Sequence, residues 1–588
     1  MKVQKTKQRK VITNMHGHFQ VKETVHVCVN GCRYPVGQLV TSYSKSLNQL
    51  VAPGANFGYD LEVRIGLDRF LYHRQRLEIQ QKLKNEGINI STGTISNLAK
   101  CFLRHLEILH NMRSKDLRKA LTMDGGYPLH IDATGEEGRG TLLVAYAGWK
   151  HWVLGAWKIS SERSDIIEER IKKIINIFGY PCAFVRDLGR GMQLAIDNII
   201  ANSANPVPVL ACHYHFLKDV GKDLLEPGNS KLRNLFRQFK IRPNIRSLSR
   251  ELGRMIGKEH LKAKQNIANR LNNAGRTSLI LTGRDGLATI RLLCQWVLDY
   301  ANNSKKLEFP FAQPYLDFFN RCSQMYLAIQ FFRDNDIKDT TVQKKLEKLA
   351  KIIKPVNSEV PFTAIADNLK ERVKLFNTLR DLLRLSVDNK NPNTKQIMNE
   401  LQNMEQSVND YIQTLHNRLL NKKVKQDLLL ADKIVLKHLK RHNKYLWGHA
   451  IYVKNQTGER FRLVDRTNNI LEDFFKKLKC KERRRSGRKL LAHDFENIPA
   501  AAALVKNLIK EDYVKILCGN MNNLPKLFSE IDSKQRYNNL MKKEEYPLIS
   551  ESKKEAVTTS FPYKDRKFVR KKKLHELIET AAEVCISN

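Results

Sequence analysis

Between residues 127 and 226 the chain carries successive β-rich runs, YPLHIDAT, TLLVAYAGWK and HWVLGAWKIS, and then alternates helix with strand. SDIIEERIKKIINIFG has helical apolar spacing, PCAFVRD reads as a strand, GMQLAIDNIIAN as a helix, PVPVLACHYHF as a strand and LKDVGKDLL as a helix. A β-β-β-α-β-α-β-α order commits the chain to a mixed sheet with helices on its faces. Two acidic residues stand at the ends of runs in this block, Asp132 in YPLHIDAT and Asp187 in PCAFVRD. Neighbouring strands would bring them together.

The rest of the chain is organised around that block. Residues 1–57 mix short β-like runs with turns. LEIQQKLKNEG ends on Gly87, a natural helix terminator, and INISTGTISNLAKCFLRHL restarts with Ser91 and Thr92 as candidate caps. Ile95, Leu98, Ala99 and Phe102 fall on one stripe and turn Thr94, Ser96, Asn97 and Lys100 outward. Residues 58–115 are therefore expected to form a helix-turn-helix whose second helix meets DNA. Residues 125–228 are the first part of the sheet core. From 229 to 455 the strand signal nearly vanishes and long periodic segments predict an α-helical insertion, in which Trp296 and Trp447 are expected to pack in the core. Residues 456–515 return with TNNILEDFF and an Ala-rich helix. Residues 516–588 form a basic tail.

Charge decides the partner class. Lys and Arg number 102 against 60 Asp and Glu, a net +42 spread along the chain, which is what phosphate neutralisation requires. No apolar run reaches the roughly 18 residues of a membrane span. Ten scattered cysteines fit a reducing, intracellular compartment: cytoplasmic and nucleoid-associated in a prokaryote, nuclear in a eukaryote. Cys28 and Cys32 are four positions apart and make half of a tetrahedral zinc site, with His16, His18 and His26 upstream; two ordinary thiols is the other reading.

A third acid completes a candidate centre. Around 467–483, Ile470, Leu471, Phe474, Phe475 and Leu478 form one apolar stripe, and Glu472 lies at its margin while Asp473 points about 100° away. Lys476, Lys479 and Arg483 follow Glu472 on nearly the same face, with Arg484, Arg485 and Arg488 beyond. That line of cations is expected to track phosphates leaving the site. Two Mg²⁺ (or Mn²⁺) ions held by Asp132, Asp187 and Glu472 are what in-line displacement at a phosphodiester would use.

HIDATGE, FVRDLGRG, ACHYHFLKD and TNNILEDFFKKLK with RRRSGRK resemble the DDE transposases of the Mutator-like type and their bacterial insertion-sequence relatives, from the cysteine pair to about residue 510. The resemblance implies a ribonuclease-H-like α/β core with a mixed five-stranded sheet, interrupted by an all-α insertion and preceded by zinc-ribbon-like and helix-turn-helix elements that recognise DNA ends. It carries Asp132, Asp187 and Glu472 over as metal ligands, and brings out Cys212 and His215 as a core motif. The chain departs from it in having no second cysteine pair beside Cys28 and Cys32. The implied activity is metal-dependent cleavage of double-stranded DNA at terminal inverted repeats, then strand transfer into target DNA by a homodimer or larger assembly. A ribonuclease-H-like nuclease or resolvase would use the same acids without strand transfer. A domesticated DNA-binding protein would keep only the helix-turn-helix and the charge.

Overall fold

The computed structural model describes residues 1–542 except 137–138, 205, 258–282, 302–307, 335–338, 384–393, 422–423 and 456–457. The basic run KDRKFVRKKKLHELIE of the expected tail lies outside the described residues. The chain divides into two compact units: Met1–Val207 with Val453–Glu459 and the chain from Asn469 onward, and Pro208–Tyr452 with Arg460–Asn468.

The first unit opens on a long antiparallel ribbon, β1 (Lys2–Thr13) and β2 (Gly17–Val27), joined by the short β3 (Thr41–Ser42). Helices α1 (Lys45–Leu50), α2 (Tyr59–Gly66), α3 (Arg76–Asn85), α4 (Thr92–Met112) and α5 (Ser114–Met123) follow. Ser91 caps α4 by accepting from the Thr94 N–H at 3.1 Å, and Gly87 takes the left-handed φ of 79° that ends the preceding turn. Ile95, Ala99 and Phe102 are buried as their spacing requires. Ile95 and Ala99 join Leu61, Ile65, Ile79 and Leu83 in one small core. Gly66 lets α2 approach α4, because a Cβ there would stand 2.0 Å from the Phe102 ring.

The central sheet comprises β4 (Pro128–Glu136), β5 (Arg139–Ala147), β6 (Trp152–Lys158), β7 (Ala183–Arg186) and β8 (Val209–Ala211) in the order β6-β5-β4-β7-β8. β4 pairs antiparallel with β5 and parallel with β7, so the sheet is mixed and five-stranded, as the order of runs predicts. Leu129, Ile131, Val144, Val153, Phe184 and Val185 are all at most 1% exposed, the mark of strands covered on both faces. α6 (Ser164–Phe178) and α7 (Arg190–Ala201), which pack on each other, supply part of that cover.

The second unit is almost wholly helical: α8 (His213–Gln238), α9 (Ile241–Ile256), α10 (Gly283–Leu298), α11 (Pro314–Asp334), α12 (Thr340–Ser358), α13 (Val360–Leu382), α14 (Thr394–Leu420) and α15 (Gln426–His442). This fits a helical insertion into an α/β core. Trp447 donates to Asn443 Oδ1 at 2.9 Å, whereas Trp296 is 41% exposed with the Arg321 guanidinium 5.0 Å from its ring, not packed in the core as expected. A hairpin of β9 (Ala450–Asn455) and β10 (Gly458–Leu463) was not anticipated from the sequence.

The chain then forms α16 (Asn469–Ser486), α17 (Ala492–Asn497), a 3-10 helix (Ala500–Ile509), α18 (Glu511–Cys518) and α19 (Leu524–Leu540). The Ala-rich segment was expected as an α-helix, but its function is to cover β6. Asn507 accepts from the Val153 N–H and donates to the Val153 carbonyl, both at 2.8 Å, and so completes the ladder of an edge strand. No helix among the described residues is long and apolar enough to cross a membrane.

Candidate active site

The register of the sheet settles where two of the acids stand. In the parallel pair β4/β7, His130 faces Val185 and Ile131 faces Arg186. The next residues are Asp132, still on β4, and Asp187, just beyond the end of β7, close enough for the Asp187 charge to act on Asp132. Asp132 is 8% exposed, and its Oδ1 accepts from the Ala133 N–H at 2.8 Å. Asp187 accepts from the Gly189 N–H at 3.1 Å, a turn that starts α7.

Electrostatics joins the other acids to this pair. Burial, then the Asp187 carboxylate, and further Glu472 and Glu162, hold the Asp132 carboxyl well above its ordinary range against the Ala133 hydrogen bond. Glu162 is itself raised by burial and by Asp187. Glu162 was not singled out from the sequence, where SSERSD reads as a polar loop after β6. Its neighbour in space explains the glycine of DLGRG: a Cβ on Gly191 would stand 2.0 Å from the Glu162 carbonyl oxygen. Only glycine lets the start of α7 meet that loop.

Glu472 is half-buried on α16, on the margin of a stripe whose Leu471, Phe474 and Phe475 are buried. Asp473 is exposed and pairs with Lys477 at 2.7 Å, as expected of the residue on the solvent side. Among the described residues no three His, Cys, Asp or Glu side chains are arranged to hold a metal ion as they stand. The acids share a neighbourhood rather than a closed cage.

The cations after Glu472 divide into two sets. Lys479 is half-buried and donates to the Gly135 carbonyl at 3.4 Å, and Arg483 pairs with Glu136 at 2.5 Å. Glu136 also accepts from the Leu491 N–H at 2.6 Å. The ATGE end of HIDATGE is thus the place where α16 docks on β4, and Arg483 serves that dock. Arg485 pairs with Glu482 at 2.6 Å and with Asp494 at 2.8 Å, and Arg488 reaches Asp494 at 3.6 Å. Lys476 and Arg484 are exposed.

The residues of α4 expected to face DNA are also placed unequally. Asn97 and Lys100 are exposed, while Thr94 is half-buried beside Ser91 at 2.9 Å and Ser96 accepts from Arg76 at 3.1 Å. A cleft of about 640 Å³ brings Arg76, Ser96 and Lys100 to Arg69, Arg485 and Arg488. Burial, and after it the Arg485 charge, push the Arg69 guanidinium down to about 10, against the carboxylates of Glu482 and Asp494. A separate apolar cavity of about 710 Å³, lined by Phe70, Phe474, Leu478 and Met521, contains none of the three acids.

Cys28 and Cys32 lie side by side, and a hydrogen bond between their sulfurs holds Cys28 below the usual thiol range and Cys32 above it. His18 is engaged with the Gly87 carbonyl at 2.8 Å. In the second unit, Cys212 is fully buried at the N-cap of α8, and its Sγ accepts from the Asn468 N–H at 3.1 Å. The His213 N–H donates to Arg466 O at 2.9 Å, and His215 lies in the first turn of α8. The cysteine of ACHYHF is therefore bonded to the turn at Asn468.

No family model matches the chain, and no curated protein matches it. Among solved structures, the Drosophila P element transposase strand transfer complex aligns over 80% of this chain and 96% of that chain, with 14% identity and a TM-score of 0.33. Likeness at that level is too loose to carry an argument.

Proposed function

We propose that the protein is a DDE-type transposase with a ribonuclease-H-like core, which cleaves DNA at the ends of its element and joins them to target DNA. The observation that carries the reading is the β4/β7 register, which sets Asp132 beside Asp187, with Glu472 and Glu162 in the same electrostatic neighbourhood. Three carboxylates around a buried fourth are costly unless a cation compensates them. Hard oxygen donors of this kind fit Mg²⁺ or Mn²⁺, and Asp132, Asp187 and Glu472 would hold two ions. When bound, such ions neutralise phosphoryl oxygens and activate an attacking oxygen. The protein's own part is to fix the acids on a rigid sheet and to dock α16 through Glu136, so that Glu472 stays beside β4. The cationic cleft and the exposed Asn97 and Lys100 would hold the duplex of the element's ends, with two ends paired in a homodimer or larger assembly.

The test is incubation of the protein with Mg²⁺, a target plasmid and a labelled duplex made from DNA flanking its own gene. Joined products support the proposal. Hydrolysis without joining indicates a nuclease, and binding without cleavage a non-catalytic DNA-binding protein; either overturns it. Asp132→Ala, Asp187→Ala and Glu472→Ala should each abolish cleavage and spare duplex binding. An active Glu472→Ala protein would show that the third ligand is misassigned.

A further inference from the structure

The β1–β2 ribbon has two chemically distinct faces. Its register sets Thr6 opposite Thr24, Gln8 opposite Lys22 and Lys10 opposite Gln20, and the pleat puts all six side chains on one face. On the other face Val11, Glu23 and Val25 are buried, and the Arg9 guanidinium donates to the carbonyls of Ala52 and Ala55 at 3.1 and 2.6 Å. The first face is exposed at Thr6, Gln8, Lys10, Gln20 and Lys22 and carries no apolar residue over this stretch. The single carboxylate of the ribbon, Glu23, is turned inward, 5% exposed and 3.5 Å from Arg9. Lys5 and Lys7, opposite Val25 and Glu23 on that second face, are exposed.

Edge protection explains lysines on an outer strand such as β1. It extends to Lys22, where β2 is paired on one side only because β3 meets just His26 and Val27, but it does not explain a row of amides and hydroxyls held across the strands, with Gln8 donating to Gln20 at 2.7 Å and Thr6 3.3 Å from Thr24. Amides, hydroxyls and lysines are the groups that read base edges and phosphates, and a two-stranded ribbon fits a major groove roughly 12 Å wide. Five residues on each strand at roughly 3.3 Å per residue span about 16 Å, enough for four to five base pairs.

We propose that the Thr6–Lys10/Gln20–Thr24 face of this ribbon is a DNA-reading surface that enters the major groove of duplex DNA, in addition to the helix-turn-helix. This inference rests on the reading of the chain as a DNA-binding enzyme. Gln8 and Gln20 would read bases, while Lys10 and Lys22 contact phosphates.

The experiment is fluorescence anisotropy of the full chain with a 30-base-pair duplex pool, at salt from about 50 to 200 mM. Lys10→Gln combined with Lys22→Gln should flatten the slope of log affinity against log salt by about 1.8, so the wild type should lose about 12-fold more affinity over that range than the variant. Gln8→Ala combined with Gln20→Ala should leave that slope unchanged and relax the sequence preference selected from the pool. Methyl green, which fills the major groove, should compete, and distamycin, which fills the minor groove, should not. A wild type that binds the duplex while the lysine variant keeps its slope overturns the ribbon inference alone, as does competition by distamycin only. A wild type that binds no duplex at about 50 mM salt overturns the proposed function with it.

Discussion

Gly191→Ala places a methyl carbon 2.0 Å from the Glu162 carbonyl oxygen, where ordinary contact begins at 3.4 Å. The backbone of the Glu162 loop, the start of α7, or both must give by about 1.4 Å, the difference between those distances. No flexible side chain can absorb the shift, because the obstacle is a main-chain oxygen. Stability changes modestly: alanine gains about 1 kcal/mol over glycine within a helix, and overpacking costs about 1–3 kcal/mol. The net loss is then about 0–2 kcal/mol. Activity should suffer more. The displaced elements carry Glu162 and the turn that holds Asp187, and a misplacement of about 1 Å near reacting groups costs roughly 100-fold in rate. Initial rates of supercoiled-plasmid nicking in Mg²⁺, together with the urea midpoint of the same protein, separate the two effects. A variant that nicks within threefold of the wild type would refute the claim that this close approach positions Asp187.

Further substitutions probe the fold and the proposed DNA contacts. Asn507→Leu leaves the Val153 N–H and carbonyl buried without partners, at about 1–3 kcal/mol each; it should lower unfolding stability by about 2–6 kcal/mol and speed amide exchange in the peptide containing Val153, and unchanged exchange would contradict it. His110 is buried between Tyr513 and the Leu154 carbonyl, and burial pushes its imidazole down to about 4 from the ordinary 6.5. Because the folded value is depressed, its contribution is complete above pH 6.5 and lost as pH falls toward 4, costing up to about 3 kcal/mol; denaturation midpoints of His110→Phe should show a shallower decline over that window, and an equal decline would remove the assignment. Arg483→Gln should leave the salt slope of DNA binding unchanged, because Arg483 is neutralised by Glu136, whereas Lys476→Gln with Arg484→Gln should flatten it by about 1.8. Equal slopes for the two variants would restore Arg483 to the phosphate path.

The amino-acid sequence by itself determined the order of strands and helices around Asp132 and Asp187, the cap at Ser91, and the outward turn of Asp473 beside a half-buried Glu472. Each of these follows from local rules: period, capping chemistry and the direction of side chains on one element. Tertiary structure alone decided that Glu162 joins the acids, that Glu136 turns part of the expected phosphate stripe into a docking contact, and that Asn507 closes the edge of β6. It also made the Ala500–Ile509 segment a 3-10 helix against its α-helical composition, because packing on β6 overrides propensity. The β9–β10 hairpin was readable in the alternation of IYVKN and ERFRL, but it lies in a region dominated by helical periodicity. Those features depend on partners dozens to hundreds of residues apart, such as Glu136 with Arg483 and Val153 with Asn507, and no local pattern specifies which buried backbone group or charge a distant side chain will satisfy.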